Sequence, residues 1–164
     1  MIINEVDGDL IKLFKQNEFD AIAHGCNCFS TMGSGIAKTI KDEFPEVYIA
    51  DKLYLNHLRE KNIPNLKLGN YSQFRSEYGI IYNLYTQFTY GTNKRQVSYD
   101  AIANVFSKLN VSNDILNGKQ DYKIFLGIPK IGAGLGGGNW NIISKIIHEV
   151  TTNINIIVVN YAKK

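Results

Sequence analysis

The sequence predicts an α/β protein, a three-layer α/β/α sandwich around a mixed sheet that is parallel in its middle. Three observations predict it. Short apolar, strand-like runs alternate with stretches of helical period along the chain. Residues 124–128 are fully apolar, as a central strand covered on both faces should be, and residues 154–159 form a final apolar strand. Two glycine-rich segments, residues 33–37 and 132–138, each come after a strand-like run. In an open parallel sheet that is where the ligand crevice lies, so both should converge on one site.

Each element has a local reason. Residues 2–6 are apolar enough for a first strand, and Ala21-Ile22-Ala23 is a short buried strand between Asp20 and Gly25. A helix over residues 36–44 stops at Pro45, which opens the next helix because its missing N–H would be unpaired there anyway. That second helix runs to about Lys61, with Val47, Leu53, Leu55 and Leu58 as its apolar face. Residues 66–74 and 79–86 read as two strands around the polar turn at Ser76-Glu77. Ser98 caps a helix through Leu109, and a last helix spans residues 140–150. No repeat, low-complexity segment or linker interrupts the 164 residues, so a single domain over residues 1–164 is expected.

Composition excludes several classes. No apolar run approaches the roughly 20 residues of a membrane helix. The start, Met1-Ile2-Ile3-Asn4-Glu5, lacks the basic and apolar regions of a signal peptide, so a cytoplasmic protein is expected. The net charge of +3 suits a phosphate-bearing ligand, but Lys and Arg are scattered and form no basic stripe for nucleic acid. Cys26 and Cys28 are too close to close a useful disulfide ring, so reduced thiols are expected. With His24 they include zinc-ligand types. A fourth ligand is missing and the one-residue spacing points neighbours apart, so no metal is expected. The frequent Ile, Asn, Lys and Tyr suit an AT-rich genome, such as that of a virus or mobile element. A monomer without a cofactor is the expected form.

The glycine segments carry the chemistry. In the first, Gly33, Ser34, Gly35, Ile36 and Ala37 lead into a helix, so backbone N–H groups and a helix dipole can meet a phosphate. It is no P-loop, because the Gly-Lys-Ser/Thr ending is absent, and residues 24–32 separate it from its strand as no Rossmann turn does. In the second, Gly132, Ala133, Gly134, Leu135 and Gly136 can wrap a diphosphate with successive N–H donors.

Taken together, Val6-Asp7-Gly8-Asp9-Leu10, the stretch from His24 to Ala37 and the stretch from Ile128 to Trp140 resemble the three motifs of macrodomains, in the same order and over essentially the whole chain. The chain is most similar to the branch of ADP-ribose 1″-phosphate phosphatases and terminal ADP-ribose glycohydrolases. That resemblance implies that Asp9 accepts from the adenine amino group and that Leu10 lines the same pocket. It implies that Asn27 holds hydroxyls of the distal ribose, and that residues 33–37 and 132–136 flank the diphosphate. Tyr161 would stack on adenine. The resemblance also matches His24 to a histidine of the phosphatase-like members, which makes it a candidate acid or base beside Asn27. Where glycohydrolases using a covalent intermediate carry a lysine and an aspartate, this chain has Gln87 and Gly136, so that mechanism is not available. The expected partner is ADP-ribose, a derivative of it, or ADP-ribosylated protein. The expected activity is removal of the 1″-phosphate, with a non-catalytic binding module or a glycohydrolase lacking the lysine as alternatives. Tyr82 and Tyr85 are expected in the core, while Phe88 and Tyr90 lie where either could close over the distal ribose.

Overall fold

The structure is a computed structural model that describes residues 1–55, 64–116 and 122–161. Its strands are β1 (Ile2–Gly8), β2 (Ala21–Asn27), β3 (Tyr71–Ser76), β4 (Gly79–Gln87), β5 (Ile124–Ile128) and β6 (Ile154–Tyr161). They form one sheet in the order β1-β6-β5-β2-β4-β3. Every pairing is parallel except that of β3, which returns antiparallel along β4. The carboxyl ends of the parallel strands therefore share one rim.

Helices α1 (Leu10–Lys15), α2 (Gly35–Glu43) and α3 (Pro45–Leu53) cover one face, over Ile22, Ile81, Tyr85 and Val159. Helices α4 (Tyr99–Asn110), α5 (Asn113–Leu116) and α6 (Trp140–Val150) cover the other, over Ala23, Tyr82, Leu126 and Ile156. With both faces covered, residues 80–86 of β4 are all buried, including the polar Asn83 and Thr86. This is the three-layer sandwich with a mixed sheet that the sequence predicts.

Several elements differ from the sequence reading, among them α5, which it does not contain. The short helix α1 follows β1 directly, started by Asp9, whose Oδ1 accepts from the Lys12 N–H at 3.0 Å. Helix α3 stops at Leu53 because Tyr54 leaves the helical region and Leu55 takes a left-handed φ of 67°. Leu53 is then exposed, while Leu58 and Lys61 lie outside the described residues. The strand expected from residue 66 starts at Tyr71, because a 3-10 turn at Pro64–Leu66 and Gly69, with φ 78°, break the extended chain first. Finally, β2 runs on to Asn27, which places His24 inside the strand rather than at its end.

Candidate functional site

The strand ends bring the three motifs to one rim. Gly8 pairs with Tyr161, so Asp9, the 74%-exposed Tyr161 and the top of α1 stand together at the β1–β6 end. Leu10 is only 4% exposed and packs with Phe14, so it belongs to the core beneath this corner and has little surface to offer adenine. Asp9 is exposed and already caps α1, so removing its carboxylate would weaken the helix as well as any ligand contact.

The two glycine loops meet. A Cβ on Gly35 would stand 3.7 Å from Leu135 Cδ1, which fixes the first loop beside the second. The second loop is held by its own carbonyls. Gly132 O accepts from Gly138 N at 2.7 Å, Gly134 O from Gly137 N at 3.1 Å, and Gly136 O from Gln96 N and Val97 N at 2.9 and 3.1 Å. The N–H groups of Gly134, Leu135 and Gly136 have no partner among the described residues. On the other loop, Ser34 sits at the N-cap of α2 without a side-chain hydrogen bond, so the first-turn N–H groups of Gly35, Ile36 and Ala37 also stay open. Two sets of unpaired donors beside one another, one at the positive end of a helix, make a cradle for a diphosphate.

The glycines themselves separate structure from function. Gly132 and Gly137 have left-handed φ values of 76° and 70°. A Cβ on Gly136 or Gly138 would come within 2.8 Å of Gly132 O. Gly33 and Gly134 are different. Among the described glycines these two alone combine a φ outside the left-handed region with nothing within 4 Å of an added Cβ. One lies in each loop, and the fold itself gives no reason for either to be glycine.

Asn27 stands where a bulge shifts the β2–β4 register between Cys26 and Asn27. Its amide is occupied by the loop that follows. Nδ2 donates to Thr31 Oγ1 at 2.7 Å and to Thr31 O at 3.2 Å, and Oδ1 accepts from Phe29 N at 2.9 Å. Beside it Phe29 and Phe88 form an edge-to-face pair 5.1 Å apart. Both are exposed, as is Tyr90, whereas Tyr82 and Tyr85 are fully buried in the core.

His24 is placed otherwise than an acid–base role requires. It is 0% exposed, on the α1–α3 side of the sheet, with Nε2 2.6 Å from Asn83 Oδ1. Burial pushes its pKa down to about 4, against the opposing pull of Asn83 and Asp51, so the ring is neutral at physiological pH. The same face holds Cys26, whose Sγ lies 3.6 Å from His24 Nε2. Contrary to the expectation that the one-residue spacing points these neighbours apart, it puts them on one side of the strand, because strand side chains repeat every second residue. Burial raises the Cys26 thiol well above its ordinary range and the Cys28 thiol to about 11, so neither is a ready nucleophile. Both cysteines are free. Lys67, Asp51 and Asn83, which the sequence reading passed over, are buried polar groups behind the first loop. The available signal was Asp51 one helical turn after the buried Val47.

Comparisons with known proteins bear on the fold and on the relatives of the chain. No family model matches the chain. It is 37% identical over 165 residues to an uncharacterized 17.5 kDa protein from the tk-vs intergenic region of Enterobacteria phage T4, covering 98% of this chain and 97% of that one. It is 26% identical over 177 residues to an ADP-ribose 1″-phosphate phosphatase of Meyerozyma guilliermondii, covering 94% and 98%. Among solved structures it superposes on the macrodomain of Thermus aquaticus DarG with a TM-score of 0.71 at 20% identity, covering 99% of both chains. It also superposes on Thermosipho africanus DarTG in complex with ADP-ribose, with a TM-score of 0.72 at 17% identity, covering all of this chain and 43% of that one. The fold is that of a macrodomain. The chain belongs to the same family as the T4 17.5 kDa protein.

Proposed function

We propose that the crevice binds ADP-ribose and that the protein hydrolyses a derivative carrying a phosphate on the distal ribose, ADP-ribose 1″-phosphate. The observation that carries this reading is the pair Gly33 and Gly134, one in each loop, each with open space where a side chain would stand. Asp9 and Tyr161 would take the adenine end, the two loops the diphosphate, and Asn27 the distal ribose. The phosphatase named in Meyerozyma guilliermondii and the ADP-ribose complex of Thermosipho africanus DarTG support the same ligand class.

In this reading, binding energy from adenine and diphosphate orients the distal end, and water attacks phosphorus to release phosphate and ADP-ribose. Loop N–H groups stabilise the charge that develops on the phosphate oxygens. Asn27 reaches the ribose hydroxyls by exchanging one of its bonds to Thr31. His24 contributes from beneath, keeping Asn83 and the strand in place. Its burial favours one second reading, a binding module without turnover, because it withdraws the side chain the resemblance assigns to proton transfer.

Phosphate release from ADP-ribose 1″-phosphate by the purified protein tests the proposal, with calorimetry alongside. The expected result is turnover, ADP-ribose affinity in the micromolar range, roughly −8 kcal/mol, and weaker binding of AMP. Binding without phosphate release establishes the second reading. Equal affinity for ADP-ribose and AMP means that the distal ribose is not gripped and the proposed site is wrong.

A further inference from the structure

The first loop is held by a buried lysine that lies outside the three motifs. Ser30, midway between Asn27 and Gly33, has a left-handed φ of 55°, a conformation a serine keeps only when its surroundings impose it. On one side Asn27 binds Phe29 and Thr31. On the other, Lys67 Nζ donates to Ser30 Oγ at 2.9 Å.

That ammonium is itself fixed. Lys67 is 9% exposed, and its Nζ also donates to Asp51 O at 3.0 Å and to Asp51 Oδ1 at 3.3 Å, which uses all three of its donors. Asp51 is 1% exposed, and its Oδ1 accepts from Tyr85 OH at 2.8 Å. Tyr85 OH meets Ser72 Oγ at 2.7 Å, and Ser72 Oγ accepts from Asn83 Nδ2 at 3.1 Å, the residue that holds His24. A buried ion pair is an expensive way to stabilise a fold, since apolar side chains of the same volume do it as well or better. Its distinctive product here is one hydroxyl held at a fixed point in the first loop. The second loop is held by its own carbonyls, whereas the first is held by the side chains of Asn27 and Ser30.

We infer that Lys67 is a positioning residue for the ligand site, setting the geometry of Asn27 and Gly33 through the hydroxyl of Ser30. The inference rests on the first loop being part of the ADP-ribose site. Lys67 touches no ligand. It acts on the distal ribose end, so its effect separates ligands that have that sugar from those that lack it.

The test is a double-mutant cycle over Ser30→Ala and Lys67→Met, read by calorimetry with ADP-ribose and with AMP and by melting curves. Ser30→Ala leaves the ion pair intact. It is expected to weaken ADP-ribose binding about tenfold, to change AMP binding less than twofold, and to leave the melting temperature nearly unmoved. Adding Ser30→Ala to Lys67→Met is expected to weaken ADP-ribose binding no further. Should Lys67→Met fail to fold, the Ser30→Ala arm decides alone. Unchanged ADP-ribose affinity in Ser30→Ala, equal losses for both ligands, or additive effects in the cycle overturn the inference while leaving the site standing. A parent protein that binds no ADP-ribose removes the site and this inference with it.

Discussion

Replacing Gly134 by valine is expected to remove most of the affinity for ADP-ribose while leaving the melting temperature where it is. A Cβ at Gly134 meets nothing within 4 Å and the residue does not hold a left-handed φ, so the folded loop accepts the side chain. In the proposed site, the space it fills is the one through which a diphosphate would reach the N–H groups of Gly134, Leu135 and Gly136. A loss of about 100-fold, or ~2.7 kcal/mol, is expected by calorimetry. Gly136 sits two residues on and behaves oppositely, since a Cβ there comes within 2.8 Å of Gly132 O. Gly136→Ala should therefore lower the melting temperature and distort the loop. Val111→Ala, exposed at the end of α4, is the neutral control. A Gly134→Val protein that binds like its parent would take the second loop out of the site.

The second large effect concerns stability and pH. His24 is held near pKa 4 in the folded protein against an ordinary 6.5, so below pH 6.5 the unfolded chain takes up a proton that the folded chain refuses. Stability therefore rises with pH across this window and is lost as pH falls from 6.5 toward 4. The slope approaches about 1.4 kcal/mol per unit, on the order of 3 kcal/mol in all. Urea unfolding at half-unit steps measures it. His24→Met, which fills similar space and does not titrate, should flatten the curve between pH 6.5 and 5. A parent protein equally stable at pH 7 and pH 5 would contradict the burial of this ring. Because His24 stays neutral, ligand binding between pH 6 and 8 should show no histidine titration from the strand.

Much of the fold was legible because its signals are local. The apolar runs of β5 and β6, the Ser98 cap and the proline between α2 and α3 each act within a few residues, and each appears where the sequence places it. The glycine loops were legible for the same reason. What sequence could not show was pairing across the chain. Lys67 and Asp51 look like two solvated charges until α3 and the turn before β3 bring them together, 16 residues apart. Asn83 and His24, 59 residues apart, look like site residues or surface residues until the β2–β4 ladder buries both. The six-residue α1 has too little length for a periodic signal, and its one mark, Asp9, was read only as a ligand group. His24 was misplaced because β2 extends through His-Gly-Cys-Asn, a string without apolar alternation that only the flanking strands and helices hold extended.

The central claim is that a single crevice between residues 33–37 and 134–136 takes ADP-ribose. Titrating ¹⁵N-labelled protein with ADP-ribose and following backbone amide shifts tests it most directly, because the claim is about N–H groups. The account predicts that the largest shifts fall on Gly33, Gly35, Ile36 and Ala37 and on Gly134, Leu135 and Gly136, saturating together at micromolar ligand. Shifts centred instead on the groove along α6, around Lys145 and His148, with the glycine amides unmoved, would contradict it.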